Sequence, residues 1–466
     1  MYDRPEPRTD IPHVSLLYEG FGEFLDIFHG RKDVHGLTLS KQRALEFRIN
    51  DFADEMASFY ETESARRFTA IPAMDILFSA FAREGETDPF SGGPFLGGAF
   101  DPPMSVGRVK GEHGAMSCIV LFKNESCDIE VMPHIELTNH VAHSFNAAMT
   151  QGRNDQLFQG WRVPCLGITI VGEWIVFGSS TKLIPICNTS GFEITFYAIV
   201  FLGRNQYRFA DLTPGLLCHS SAEGGDGRRS LYSAFVAAAV LMARIWKDTK
   251  TFINNPPPRI PDSARYFPNL SALPRYNEGL PGTLNFDIVR PFTPRSKKNS
   301  SLYIAVVRGE DEEKEIVVKF TRRYCIELHT FCAMKGNAPR ILGYQKLSGN
   351  WIAIAMDYVS AGSITNAQGR NKHRKKWAAA ARKLVKSFHD RGWVHGDLRD
   401  VNILCKREKP MLVDFSWGGK DEEVCYPTAL LPEELLEACL TAGDLKIRKE
   451  NDIRALEMTL TKIGVC

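Results

Sequence analysis

The chain carries almost no net charge: 57 Lys and Arg against 55 Asp and Glu leave +2 over 466 residues. No global field therefore draws it to a nucleic acid or any other polyanion. Its eleven cysteines include no Cys-x-x-Cys pair. That absence argues against a zinc site or a disulfide framework and for free thiols in a reducing compartment. No apolar run approaches the ~20 residues that cross a bilayer, and Met1-Tyr-Asp-Arg-Pro is unlike a secretory leader. The expectation is an intracellular protein, in cytoplasm or nucleus, with no membrane partner. No internal repeat is visible. With 44% hydrophobic and 24% charged residues the composition is globular, and the length calls for more than one core.

Residues 1–250 read as an α/β domain, 251–282 as a proline-rich linker and 283–466 as a second domain. In the first, Ser40–Arg66 has helical spacing (Phe47, Ile49, Phe52, Met56, Phe59) with Ser40 as N-cap. Glu84–Pro103 reads as a loop and His134–Met149 as a helix between the strands Ser117–Lys123 and Cys165–Val171. Gly172-Glu173 reads as a hairpin turn, with further strands at Trp174–Ser179, Leu183–Cys187 and Thr195–Phe201. Leu231–Ile245 is an apolar helix. The linker holds Pro256-Pro-Pro258 and prolines at 261, 268, 274 and 281. The second domain opens with strands at Leu284–Phe292, Leu302–Val307 and Glu315–Phe320, then a helix near Arg323–Lys335. A strand pair follows at Ile341–Leu347 and Trp351–Met356, then a helix at Lys375–Asp390 and a mainly helical tail.

The chemistry concentrates in His395-Gly-Asp-Leu-Arg-Asp-Val-Asn-Ile-Leu404 and Val413-Asp-Phe-Ser-Trp-Gly-Gly419. Phosphoryl transfer needs a carboxylate beside the attacking hydroxyl and hard oxygen ligands that fix magnesium against phosphates. Asp397 suits the first role, Asn402 and Asp414 the second. Asn402–Cys405 and Met411–Val413 read as strands about a polar turn, a hairpin that sets Asn402 beside Asp414. Arg399 is placed to neutralise a transferring phosphate, while His395 reads as a buried packing residue.

In order, these parts resemble the protein-kinase-like fold. The resemblance implies that Lys319, in Val317-Val-Lys-Phe320, meets the α- and β-phosphates of ATP. It implies that Glu327, in Tyr324-Cys-Ile-Glu-Leu-His329, orients that lysine. Ala355-Met-Asp-Tyr-Val359 looks like the hinge, with Met356 behind the base, backbone at Asp357 and Val359 on the adenine, and Gly362 turning the chain after it. Three departures accompany it. Thr293–Ser301, where the phosphate loop belongs, has no glycine; the metal segment reads Asp-Phe-Ser; and little chain follows Asn451-Asp-Ile-Arg454, which resembles the helix whose aspartate braces the catalytic loop. The expected fold is thus α+β, a two-lobed kinase-like domain with a truncated second lobe.

His-Gly-Asp also occurs in small-molecule kinases related to aminoglycoside and choline phosphotransferases. The longer string, with Val-Asp-Phe-Ser-Trp-Gly-Gly and Tyr426-Pro427, resembles fungal-type kinase-like proteins, often joined to Crinkler-type domains. That resemblance implies a restriction-endonuclease-like first domain. Ile119–Glu125 supplies its strand and Lys123, but Leu121 stands where an acid belongs. Pro133-His-Ile-Glu136 occupies the following helix, and Asp101 or Glu125 is the remaining carboxylate on offer. The reading is of a degenerate domain, structural or DNA-contacting. The leading function is an ATP- and magnesium-dependent protein serine/threonine kinase. The alternatives are a nucleotide-gated pseudokinase scaffold, a small-molecule kinase and a magnesium nuclease acting through residues 1–250. Thr428 lies in an activation-like stretch with no mark of a phosphosite.

Overall fold

The computed structural model describes residues 12–34, 38–58, 60–79, 104–108, 116–123, 133–150, 155–172, 191–203, 206–219, 226–276, 282–292, 301–309, 314–367, 370–406, 409–427 and 444–465. The hairpin at Gly172-Glu173 with its two following strands, the loop Glu84–Pro103, most of Thr293–Ser301, and Asp101, Glu125 and Thr428 lie outside those residues. The chain divides into two compact units, Ile11–Asn269 and Leu270–Cys466.

The first unit opens with helices α1 (Val14–Leu17), α2 (Glu19–Phe28), α3 (Leu39–Met56) and α4 (Glu63–Ser79). Ser40–Arg66 is therefore two helices. Thr38, not Ser40, caps the first by accepting from the Lys41 amide at 3.4 Å. Thr62 restarts the chain, its hydroxyl accepting from the Ala65 amide at 3.1 Å. Leu45, Ile49, Phe52 and Met56 form the buried stripe, while Phe47 faces out.

Strands β1 (Met104–Arg108) and β2 (Met116–Lys123) are antiparallel; helices α5 (Pro133–Thr150) and α6 (Asp155–Gly160) follow. β3 (Val163–Gly172) then returns parallel to β2. Parallel pairing needs such a crossover, so the helix expected at 134–149 fixes strand direction. β4 (Gly191–Gly203) pairs antiparallel with β3, β5 (Gln206–Asp211) and β6 (Leu216–His219). Every residue of β3 is buried, as befits a strand covered on both faces.

Helix α7 (Asp226–Asn254) is long and apolar enough to cross a membrane by composition alone, longer than the apolar run legible in the sequence. Its stripe, Leu231, Ala234, Phe235, Ala238, Leu241, Met242 and Ile245, is buried in this unit's core. Phe235 meets Phe52, Phe196 and Phe78 at 5.2, 5.6 and 5.9 Å between ring centres. Such aromatic packing rewards burial inside protein.

The proline-rich stretch is split between the units. Up to Asn269 it is tied to the first: Arg162 donates through Nε to the Arg265 carbonyl at 2.9 Å, Arg265 donates to the Phe158 carbonyl at 2.8 Å, and the Asn269 amide donates to Leu16 at 2.7 Å. From Leu270 it builds the second unit, where β7 (Ala272–Pro274) pairs with β8 (Thr283–Pro291). β9 (Leu302–Val307), β10 (Glu315–Thr321), β11 (Ile341–Leu347) and β12 (Trp351–Asp357) complete a six-stranded sheet in the order β11-β12-β10-β9-β8-β7. Its outer edges meet: Arg275 bridges Gly343, and the Tyr276 amide donates to Leu342 at 3.0 Å. A Cβ at Gly343 would stand 3.0 Å from the Leu273 Cβ and 3.2 Å from the Pro274 oxygen, so glycine is what lets the edges close. Closure removes two edges open to foreign strands.

Helix α8 (Ile326–Met334) lies between β10 and β11. Beyond the sheet come α9 (Arg370–His389), whose Trp377 and Phe388 are fully buried, the hairpin Ile403–Lys406 with Lys409–Leu412, and the helix Lys449–Lys462.

Candidate active site

Side-chain alternation along β10 puts Val317 and Lys319 on one face. Register sets Met356 and Ile304 on either side of Val317, and Ile354 and Leu302 on either side of Lys319. Ile304, Val317, Ile341, Ile354 and Met356 form one buried apolar cluster. Lys319 ends that patch with its side chain buried and its amine hydrogen-bonded to Asp414 Oδ1. After β12 the chain leaves the sheet. The Asp357 amide donates to Arg340 at 3.0 Å and its carboxylate accepts from Arg340 Nε at 3.1 Å, whereas the Val359 amide donates to no protein acceptor among the described residues. Gly362 pairs with Cys405 across two short strands.

The segment His395–Leu404 is shaped by Gly396, whose φ of +79° is a region glycine enters at little cost. Asp397 is buried; Arg399 grips both of its carboxylate oxygens, the Nη2 contact at 2.8 Å. Asn402 donates from Nδ2 to the Asp397 carbonyl at 3.0 Å and to its Oδ2 at 2.7 Å. The hairpin pairs Ile403 with Leu412, and the Val413 amide donates to the Asn402 carbonyl at 3.0 Å. That sets Asn402 directly across from the residue before Asp414.

Asp414 adopts φ +65°, unusual for a side-chain-bearing residue and a form of strain found at functional positions. Burial alone would raise its carboxyl, but the Lys319 charge and hydrogen bond, helped by the Ser416 amide at 3.3 Å, outweigh it and hold it at about 2. Asp414 is therefore ionised at any working pH.

One expected neighbour is missing. Glu327 does not reach Lys319: its side chain is exposed and, among the described residues, accepts only from the Cys325 thiol at 3.8 Å. The phase of α8 explains this. Leu328, His329 and Cys332 are its buried positions, which turns Glu327 outward in the first turn. His329 takes the inner place. Its Nε2–H donates to the Pro339 carbonyl at 2.8 Å, which leaves Nδ1 to accept from the Tyr324 hydroxyl at 2.8 Å. Its ring stacks on Phe415 at 4.5 Å and 14°, and His395 packs on Phe415 at 5.1 Å. The signal in the sequence was a histidine at an inward helical phase, which apolar periodicity passes over.

Burial pushes His329 down to about 4. Unfolded, the ring takes a proton below its ordinary value near 6.5; folded, it does so only near 4. Its contribution to stability is thus complete above pH 6.5 and is lost as pH falls toward 4, by up to about 3 kcal/mol. Denaturant unfolding at stepped pH should show this slope in the wild type and a flatter one in His329→Gln. Equal slopes would remove His329 as the cause.

Asp452, on the helix Lys449–Lys462, is buried behind the loop. It accepts from the His395 and Gly396 amides, each at 2.7 Å, and pairs with His389 Nε2 at 3.1 Å. The Thr459 hydroxyl adds a bond to the Leu398 carbonyl at 3.0 Å.

In the first unit, Lys123 ends β2 paired with Glu136 at 2.9 Å and Glu63 at 3.8 Å. Leu121 is fully buried, so its place on the strand is committed to the core.

The oxygens left over fit magnesium. Among the described residues Asn402, oriented by its amide nitrogen, keeps Oδ1 unengaged, and Asp414 keeps Oδ2. Among the described residues no group of three or more His, Cys, Asp or Glu side chains could hold a metal. Magnesium commonly takes one or two protein oxygens and completes its shell with phosphates and water.

Residues 294–418 match the family model of the RIO domain, an atypical protein-kinase-like family. The span lies within the second unit and contains Lys319, Asp397, Asn402 and Asp414. No curated protein matches the chain. Among solved structures it is similar to the Cydia pomonella granulovirus kinase PK-1, at 15% identity and a TM-score of 0.30, over 38% of this chain and 70% of that one.

Proposed function

We propose that Leu270–Cys466 is an ATP- and magnesium-dependent phosphotransferase acting on a serine or threonine hydroxyl of a protein. The observation that carries this reading is the convergence of Lys319, Asp397, Asn402 and Asp414 from a sheet strand, a loop and a hairpin, with each carboxylate matched to a cation. The RIO-domain match supports a kinase of the atypical protein-kinase type.

Both carboxylates are engaged by the chain's own cations: Asp414 by Lys319 and Asp397 by Arg399. Phosphates compete for the same two cations. As Lys319 turns to them, Asp414 is released as a metal ligand; as Arg399 turns to them, Asp397 is released to accept the hydroxyl proton. Bound magnesium would neutralise phosphate charge at Asn402 and Asp414. The apolar patch of Ile304, Val317 and Met356 gives the base a dry wall, and the Val359 amide a hydrogen bond.

The full chain is expected to turn over labelled ATP with magnesium and to place the label on protein rather than on a small-molecule fraction. Arg399→Ala should lower turnover about tenfold or more, as loss of a charge aimed at the transferring group does. The opposed ion pairs also suit a nucleotide-gated scaffold. Thermal stabilisation by MgATP with no turnover in any fraction would replace the enzyme reading with that one, and the absence of both stabilisation and turnover would sink both readings.

A further inference from the structure

Lys319 has one formal counter-charge among the described residues, Asp414. The proposed reaction takes that carboxylate away for the metal. Something else must then keep the amine aimed, and Glu327 does not. Beside the amine stands an aromatic face: Lys319 Nζ is 5.9 Å from the ring centre of Tyr324, within the range of cation–π attraction.

Tyr324 is itself fixed. Its hydroxyl donates to His329 Nδ1, whose other nitrogen is tied to Pro339. The Tyr324 ring meets Phe415 edge-on at 6.2 Å, and the Cys325 amide donates to the Phe415 carbonyl at 3.0 Å. The residue beneath the lysine and the residue after Asp414 therefore belong to one packed unit.

We propose that Tyr324, locked by His329, is the positioning residue for Lys319, in the place where a helix carboxylate was expected. This rests on the reading that Lys319 receives phosphates. The chemistry differs from that of a carboxylate. A ring face attracts the ammonium without neutralising it, so once Asp414 is engaged the full positive charge of Lys319 is available to the nucleotide. The aromatic wall meanwhile restricts the flexible stem.

The test uses the full chain in two assays. In the first, without nucleotide, a small amine-reactive reagent labels the protein and mass spectrometry reads the rate at Lys319. In the second, MgATP affinity is measured. Loss of a cation–π contact of about 1 kcal/mol corresponds to about fivefold. Tyr324→Leu should accordingly raise labelling at Lys319 and weaken MgATP about fivefold each. Tyr324→Phe keeps the ring but releases it from His329, and should fall between wild type and Tyr324→Leu on both. Glu327→Gln should change neither. The proposal is overturned if a folded Tyr324→Leu labels like wild type, or if Glu327→Gln loosens Lys319 as much. Should Tyr324→Leu fail to fold, Tyr324→Met replaces it, and the Glu327→Gln result decides as before. Labelling needs no nucleotide, so a wild type that fails to bind MgATP would sink the phosphotransfer reading alone.

Discussion

Asp397→Asn is expected to lower phosphoryl transfer by about a thousandfold while MgATP affinity stays within about twofold. The size follows from the role: a positioned carboxylate that takes or orients a proton contributes roughly a hundred- to ten-thousandfold. The specificity follows from the geometry. Asparagine keeps the side-chain shape and one carbonyl acceptor for Asn402 Nδ2, which now donates to Oδ2 at 2.7 Å. Arg399 loses its charged partner, but 43% of its side chain is exposed, so the freed charge stays hydrated. Lys319 and Asp414 bind each other rather than Asp397, so the phosphate contacts proposed for Lys319 should survive. Single-turnover kinetics beside equilibrium nucleotide binding separate the two quantities. A variant that transfers phosphate at more than about a tenth of the wild-type rate would show that Asp397 does not handle the proton. A variant that lost affinity in parallel would make it a binding residue instead.

How much of this could be read beforehand depended on range. The segment from His395 to Asp414 was legible because its geometry is local: a short hairpin with fixed alternation must bring Asn402 and the residue before Asp414 together, and the register does so. The face of β10 was legible too, since Val317 and Lys319 are two residues apart. The partner of Lys319 was not. It depends on the phase of α8, where nine residues and three buried positions decide whether Glu327 or His329 turns inward. The split of the proline-rich stretch was equally hidden. Prolines mark where helices and ladders stop, but pairing of Ala272–Pro274 with Thr283–Asn285 and the meeting of Arg275 with Gly343 are long-range events that composition does not encode. The break between α3 and α4 was nearer to hand, for Thr62 is an N-cap residue type inside an otherwise continuous apolar pattern.

Asp452→Ala should cost this unit about 3 kcal/mol or more of stability. Its side chain is 1% exposed and serves three donors: the His395 amide, the Gly396 amide and His389. Alanine strands all three in a site closed to water, and each buried donor left unpaired costs about 1–3 kcal/mol. The two amides belong to the turn at Gly396 that carries Asp397, so turnover should fall with stability although Asp452 touches no reacting atom. Thr459→Val provides the contrast, because it removes a single bond to the Leu398 carbonyl and should cost about 1 kcal/mol. Hydrogen exchange at the His395 and Gly396 amides reports the brace directly. Exchange should accelerate in Asp452→Ala and remain near wild type in Thr459→Val. If both amides stayed protected in Asp452→Ala, with less than about 1 kcal/mol lost, the packing of His395 on Phe415 at 5.1 Å would be what holds the loop, and the buried carboxylate would be dispensable to it.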